Sequence, residues 1–436
     1  MSFLGTFGVG LALLLALFLT GMPVFLAFFA MIILGVSMTM GAAGFSMVVN
    51  SIYDTGTSLT LGTVPLFILL GEILFRSGAV NDLTNSLDTM IGRIRGRHYL
   101  LSIALGTVLG ALAGSATAVG AMMGRSLLPV MLERKYDLKL SIGTIMGVAC
   151  LGPIIPPSIL AIIVATLANV SVAALLIAGV IPGLLIAVLF AAYCMFRVWM
   201  NPSLAPEIQE PKKVTRLDVL KAVADLLPFS FTLFMVIGLM LLGIATASEA
   251  AAMGVLGSLV TAAIYRRLSW NMIYVALVES AILSAIIMII VASAIMFTQL
   301  LAFTGATAAL AAVVANLDVN QWVFLFLLLL LPFVLCMFID GLGLLLILIP
   351  IYSPVVTSFG WDPIWFWLIF LITMVLGAIT PPFGVVLFAL KAAAPEVKVG
   401  TLFSAAWPFV WIQVFAIFIL ILFPGIVTVL PNLMKP

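Results

Sequence analysis

The chain has 436 residues, 65% of them hydrophobic and only 8% charged, with a mean hydropathy of +1.37; that composition excludes a soluble globular domain and points to a polytopic membrane protein. The net charge of +2 comes from 18 basic and 16 acidic residues spread thinly along the chain, which excludes the clustered patch a nucleic-acid partner requires. Cys150, Cys194 and Cys336 lie far apart in apolar segments and His98 is the only histidine, so no metal-ligand spacing exists and the cysteines read as small buried hydrophobes.

The start, Met1-Ser2-Phe3-Leu4, lacks a basic leader, so the first apolar run reads as a retained span. Runs at 3–20, 23–41 and 60–76 are each long enough to cross, or nearly cross, a ~30 Å hydrocarbon core. Ala79 to Arg95 carries Val80, Leu83, Leu87, Met90, Ile91 and Ile94 at helical spacing between polar residues, the pattern of a helix lying in the interface. His98 to Arg134 is punctuated by Gly110, Gly114, Ser115, Thr117, Gly120 and Gly124. It reads as a re-entrant hairpin with its tip at Gly114-Ser115-Ala116-Thr117.

A broken helix follows over 140–167, interrupted by Gly152-Pro153-Ile154-Ile155-Pro156-Pro157-Ser158. Consecutive prolines remove backbone donors and clash with the preceding turn, so a helix entering this run stops and restarts. A span at 172–199 ends near Arg197, and the polar stretch Asn201 to Asp225 is expected to be a surface linker. The second half has spans at 228–246, 249–265 and 272–302, a small-residue stretch at 304–316, and a second hairpin from 320 through Asp340-Gly341-Leu342-Gly343 to Tyr352. A second break, Gly377-Ala378-Ile379-Thr380-Pro381-Pro382-Phe383-Gly384, and a closing span at 403–430 complete the chain.

The spacing ties the halves together: Ser115 to Pro156 and Asp340 to Pro381 are both 41 residues. Five spans and one hairpin per half make the second half inverted relative to the first. With the N-terminus outside, Lys435 is the only one of 18 basic residues left on the outer side, as the positive-inside bias requires. The fold class is therefore an all-α polytopic membrane protein with two inverted repeats, about ten transmembrane helices and two re-entrant hairpins. The scaffold elements are 1–97, 169–227, 228–316 and 397–436, the transport elements 98–168 and 317–396. That is the architecture of a secondary transporter.

Non-helical backbone at membrane depth survives where it is buried or lines a cavity. The unwound carbonyls of Gly152, Ile155 and Pro157, and of Gly377, Thr380 and Phe383, are the oxygen ligands a hard cation such as Na+ takes. The helix starts after Pro157 and Pro382 and after the two tips aim partial positive charge inward. They assign an anionic substrate to Gly114, Ala116, Thr117, Ser158, Asp340, Gly341, Pro381, Pro382 and Gly384. A proton relay would need more intramembrane acids and histidines than Glu72, Glu249, Glu279, Asp340 and His98, so Na+ is the expected coupling ion. Glu249 suits a capping box as well as a functional role, Arg125 is expected to snorkel to the cytoplasm in preference to contacting substrate, Glu72 and Glu279 to be structural, and His98 to be solvated.

At these residues the chain resembles the DctM-like large membrane subunit of tripartite ATP-independent periplasmic (TRAP) transporters. The resemblance is carried by Gly21-Met22-Pro23-Val24, Pro65-Leu66-Phe67 to Gly71, Gly114 to Ala118, Gly152 to Ser158, Ile181-Pro182-Gly183, Thr246 to Glu249, Asp340 and Thr380 to Gly384. It implies an elevator mechanism in a bacterial inner membrane with both termini periplasmic, powered by Na+ and carrying a carboxylate or sulfonate. It also implies a small four-helix membrane subunit and a periplasmic binding protein as partners. By the same resemblance, Na+ ligands are Ser115, Gly152, Ile155 and Pro157 in one half and Gly243, Thr246, Gly377, Thr380 and Phe383 in the other. The chain departs at Trp361-Asp362-Pro363-Ile364, where many relatives have a histidine after Asp-Pro, and at Thr246-Ala247-Ser248, where Thr-Pro-Thr is common. The alternatives are a stand-alone Na+/anion symporter of the divalent-anion class and a passive channel. An enzyme is disfavoured because no nucleophile and base occur together.

Overall fold

The computed structural model describes residues 12–14, 16–17, 20–92, 94–206, 215–306, 309, 320–339 and 341–434, and among these every regular element is a helix. Asp340, most of the 3–20 run and most of the 304–316 stretch lie outside the described residues. Among the described residues, six helical stretches are long and apolar enough to cross a membrane, and four shorter apolar helices accompany them. The chain is thus an all-helical, multi-pass membrane protein.

The first helices are α1 (Val24–Thr39), α2 (Phe45–Thr57) and α3 (Thr63–Arg76), followed by α4 (Ala79–Ile91). α2 was not expected. Its mixed sequence, with Asn50, Ser51 and Asp54, lacks the apolar density of a span, yet Ser51 Oγ donates to Gln299 Oε1 at 2.7 Å and so ties the helix to a later one. α3 has 14 residues, about 21 Å at ~1.5 Å per residue, shorter than a full crossing.

The first hairpin is α5 (Arg97–Ala113) and α6 (Ala116–Ser126), extended by α7 (Leu128–Glu133). α8 (Leu138–Ala149) and α9 (Ile159–Leu167) flank the first break, and α10 (Val172–Ala178) and α11 (Val180–Met200) follow. The polar stretch is not all linker. α12 (Arg216–Leu233) begins inside it, because Thr215 and Asp218 close a capping box in which each side chain bonds the other residue's backbone N–H. Pro228, expected near the start of a span, sits inside α12, which runs through a π turn at Phe234–Gly238 to Leu241.

α13 (Ala247–Ile264) and α14 (Trp270–Phe303) lead to α15 (Gln321–Cys336) and α16 (Gly341–Ser358). α17 (Pro363–Gly377) and α18 (Val385–Ala393) flank the second break. The closing run is interrupted at Phe423-Pro424, giving α19 (Val399–Leu422) and α20 (Gly425–Leu433).

Two packing groups result. α3 lies along α13 and α14, with α1, α2 and α12 completing that group. The other centres on α8 and α17. Every residue from Leu140 to Ala149 and from Trp365 to Gly377 is buried, as expected of helices apolar on all sides. α5, α6 and α19 pack on α8, and α15, α19 and α20 on α17. α11 packs on α5, α8 and α19 rather than on α12–α14.

Candidate functional site

The two helices that enter the prolyl breaks are the most buried in the molecule, so the breaks sit where the core is densest. In the first, residues 151–158 are all buried. Both Pro156-Pro157 and Pro381-Pro382 bonds are cis. Ser158 restarts the chain as the N-cap of α9: its Oγ accepts from Ala161 N–H at 3.1 Å and donates to the Pro153 carbonyl. The carbonyls of Gly152, Ile155 and Pro157 accept no hydrogen bond among the described residues. In the bilayer, open acceptors of this kind need another partner.

The first tip lies against this break. Gly114, at φ +57°, ends α5, and its Cα faces Ile159 at the start of α9. Ser115 caps α6, with its Oγ 3.0 Å from Thr117 Oγ1 and 3.5 Å from the Ala118 N–H it accepts. Lower down, α5 touches the break through backbone alone: a Cβ at Gly110 would stand 2.8 Å from N and Cα of Gly152.

The second break is built differently. The carbonyls of Gly377 and Thr380 are not free, since they accept from Thr380 N–H at 3.1 Å and Gly384 N–H at 3.2 Å; each keeps one lone pair. Thr380 is fully buried and its Oγ1 donates to Leu376 O at 2.7 Å. Pro382 and Phe383 are exposed, and the Phe383 ring lies 5.5 Å from Phe338 at the end of the second hairpin's first arm. A Cβ at Gly377 would meet Phe333 O at 2.6 Å, so here too hairpin arm and break touch through backbone.

A cavity of about 890 Å3 lies between the two packing groups. One wall is α3 and α14, through Phe67, Ile68, Gly71, Glu72, Phe75, Leu283 and Ile287. The other carries the first tip and α6 stripe, the Pro153 and Pro157 region, Cys336 and Gly341 of the second hairpin, and Met374, Ala378 and Val385 around the second break. Of the expected site residues, Gly114, Ser115, Ala116, Thr117, Pro157 and Gly341 line it. Gly152, Ile155, Ser158, Gly377, Thr380, Pro381, Pro382, Phe383 and Gly384 belong to the breaks but are not lining residues; Ile155 instead packs over Gly183.

Gly243 and Thr246 do not reach the cavity. Gly243 turns the chain at φ +68°, and Thr246 caps α13, its hydroxyl 2.9 Å from Glu249 Oε2, while Glu249 Oε2 also accepts the Thr246 N–H at 2.8 Å. Glu249 is therefore a capping-box residue.

The sequence underrated two cavity residues. Glu72 pairs with Arg76 at 2.7 Å but also lines the cavity, and Arg125 lines it rather than only reaching for the aqueous face. Their ordinary i, i+4 helical contexts hide this; only the facing of α3 and α6 brings them together. His98 corrects a further expectation: it is buried, not solvated, because Tyr136 and Arg134 close over it. Arg134 donates to Nε2 at 2.8 Å, which leaves Nδ1 to carry the proton toward Tyr136 Oη at 3.1 Å. Burial, then Arg134 and Arg97, hold its pKa down to about 4.

Comparison with known proteins gives the same picture. The chain is 29% identical over 425 residues to the ectoine TRAP transporter large permease protein TeaC of Halomonas elongata, covering 97% of this chain and 98% of that one. It is 28% identical over 386 residues to the C4-dicarboxylate TRAP transporter large permease protein DctM of Pseudomonas aeruginosa, covering 87% and 88%. Among solved structures, the YdaH transporter of Alcanivorax borkumensis superposes with a TM-score of 0.62 at 16% identity, over 88% of this chain and 89% of that one; this likeness is one of fold alone. Residues 11–426 match the family described as "Tripartite ATP-independent periplasmic transporter, DctM component". With breaks, tip and cavity in place and the family match spanning nearly its full length, the chain belongs to the DctM large permeases of TRAP transporters and is a transport protein, not an enzyme.

Proposed function

We propose that this permease imports an organic anion by Na+-coupled alternating access. The two hairpins and two broken helices form a transport body that slides as an elevator against the α3, α12, α13 and α14 scaffold. The observation that carries the reading is the cavity at the seam of the two packing groups, walled on one side by the first tip and both breaks. Its contents are exchanged when one group moves past the other. The halves are read as inverted repeats, both hairpins as re-entrant, and both termini as periplasmic.

Na+ is assigned to the open carbonyls of Gly152, Ile155 and Pro157 with Ser115, and to the remaining lone pairs at Gly377, Thr380 and Phe383. Gly243 and Thr246, at the turn before α13, are assigned as further ligands of the second site. Coupling has an energetic requirement. Each negative charge entering against ~100 mV costs ~2.3 kcal/mol, so at least two Na+ must accompany a monoanion for the potential to drive uptake. Relatives are named for C4-dicarboxylates, ectoine, sialic acid and isethionate, which supports a small polar or charged organic solute. The small membrane subunit and a periplasmic binding protein complete the system.

Uptake into proteoliposomes tests this. The complete system should require a Na+ gradient, the small subunit and the binding protein. Because the Thr380 hydroxyl proton is committed to Leu376 O, its lone pairs remain for the ion. Thr380→Ala is expected to raise the half-saturating Na+ concentration about tenfold while insertion and assembly persist. Unchanged Na+ activation removes Thr380 from the site, and uptake by the permease alone selects the stand-alone symporter instead.

A further inference from the structure

Among the described lining residues, the cavity holds two charged side chains, Glu72 and Arg125. They are not equivalent. Glu72 is already neutralised by Arg76, 2.7 Å away. Arg125 makes no ion pair among the described residues; its Nε donates only to Ala121 O, one turn back, at 3.4 Å. That contact folds the side chain toward the N-terminus of α6, along the stripe of Thr117, Ala118, Ala121 and Met122 that lines the same wall. A guanidinium is a fixed five-donor fork suited to a carboxylate or sulfonate, and here it faces a wall of Phe67, Ile68, Phe75, Leu283 and Ile287.

We infer that Arg125 is the specificity-determining cation of the substrate cavity, and that the solute is a monoanionic organic acid with an apolar body. The inference rests on the transport reading above and deepens it. The acid group pairs with the Arg125 guanidinium, while the hydrocarbon body lies against the α3 and α14 wall. The hydroxyls of Ser115 and Thr117 at the tip are left to the coupling ion and to polar substituents. Among the described lining residues a second carboxylate would find no second unpaired cation: it would compete with the coupling ion for the Ser115 and Thr117 hydroxyls or lie against apolar side chains or the Glu72 carboxylate, so burying it costs desolvation that is not repaid. Dianions are thereby rejected.

The test is binding by the purified permease of four probes: benzoate, isovalerate, succinate and neutral benzamide, read by calorimetric titration and thermal shift. Benzoate and isovalerate should bind at least tenfold more tightly than succinate. Arg125→Gln should weaken benzoate at least tenfold and leave benzamide within twofold, and Arg125→Lys should restore part of the loss. Arg125 is exposed and holds only a contact within its own helix, so these variants keep the fold, which an unchanged melting temperature without ligand verifies. Undiminished benzoate binding by Arg125→Gln, tighter succinate than benzoate binding by the wild type, or no saturable binding of either monoanion overturns the assignment. Because no Na+ gradient or partner enters the assay, Arg125-dependent binding with Na+-independent uptake would sink the coupling reading and leave this one standing.

Discussion

His98 shows how one side chain can set a pH limit. It sits at the start of α5, outside the six apolar spans of the described residues, where Arg134 donates to its Nε2 and the Tyr136 hydroxyl oxygen accepts from its Nδ1–H. A second proton would have to go on Nε2 and break the Arg134 contact, which is why burial and the two arginines lower its pKa to about 4. The sign follows from linkage. The unfolded chain binds a proton near pH ~6.5 and the folded one only near 4, so this contribution is intact above pH ~6.5 and is lost as pH falls toward 4. Melting temperature against pH should therefore fall across that window in the wild type and flatten in His98→Gln, which cannot titrate. An identical slope in both proteins would assign the acid sensitivity to another group.

For the helical elements, the tightest constraint is where hairpin arm meets break. A methyl group on residue 110 would stand 2.8 Å from backbone atoms of Gly152, and backbone cannot rotate aside as a side chain can. Gly110→Ala should therefore cost about 1–3 kcal/mol. Gly400→Ala is the matched control: this exposed helical glycine has nothing within 4 Å of its added methyl, so the change should be neutral or stabilise by up to about 1 kcal/mol. Chemical denaturation in detergent measures both; equal effects would mean the arm and the break are not in register. Elements of this kind were the legible part of the sequence. Paired prolines interrupt a helix whatever surrounds them, and the Gly114-Ser115 tip is a local signal of the same kind. α2, the early start of α12 and the burial of His98 were illegible because each depends on a partner distant in sequence or on a short polar cap rather than on apolar density. The cavity wall was hidden for a related reason: Phe67, Ile68 and Phe75 look like lipid-facing residues until α6 is placed opposite them.

At the scale of the whole molecule, the proposed orientation makes a direct prediction in a Cys336→Ser background, because Cys336 lines the cavity whereas Cys150 and Cys194 are buried away from it and leave a low labelling background. Asn320 and Lys398 are both exposed. Asn320→Cys should react with an impermeant maleimide in intact cells, and Lys398→Cys only after the membrane is opened. The reverse pattern would turn the permease over and place the basic loops outside, against the positive-inside bias. One further property follows from α14. Its 34 residues extend about 51 Å at ~1.5 Å per residue, against ~30 Å of hydrocarbon, and a typical tilt of ~20° shortens its height by only a few ångströms. Well over a dozen ångströms of this rod must stand among the headgroups, where exposed Trp270 and Tyr274 at its start are suited to anchor it. The helix that supplies Leu283 and Ile287 to the cavity is thus in contact with the lipid surface as well as the lipid interior, and bilayer thickness becomes a variable that bears on the shape of the wall.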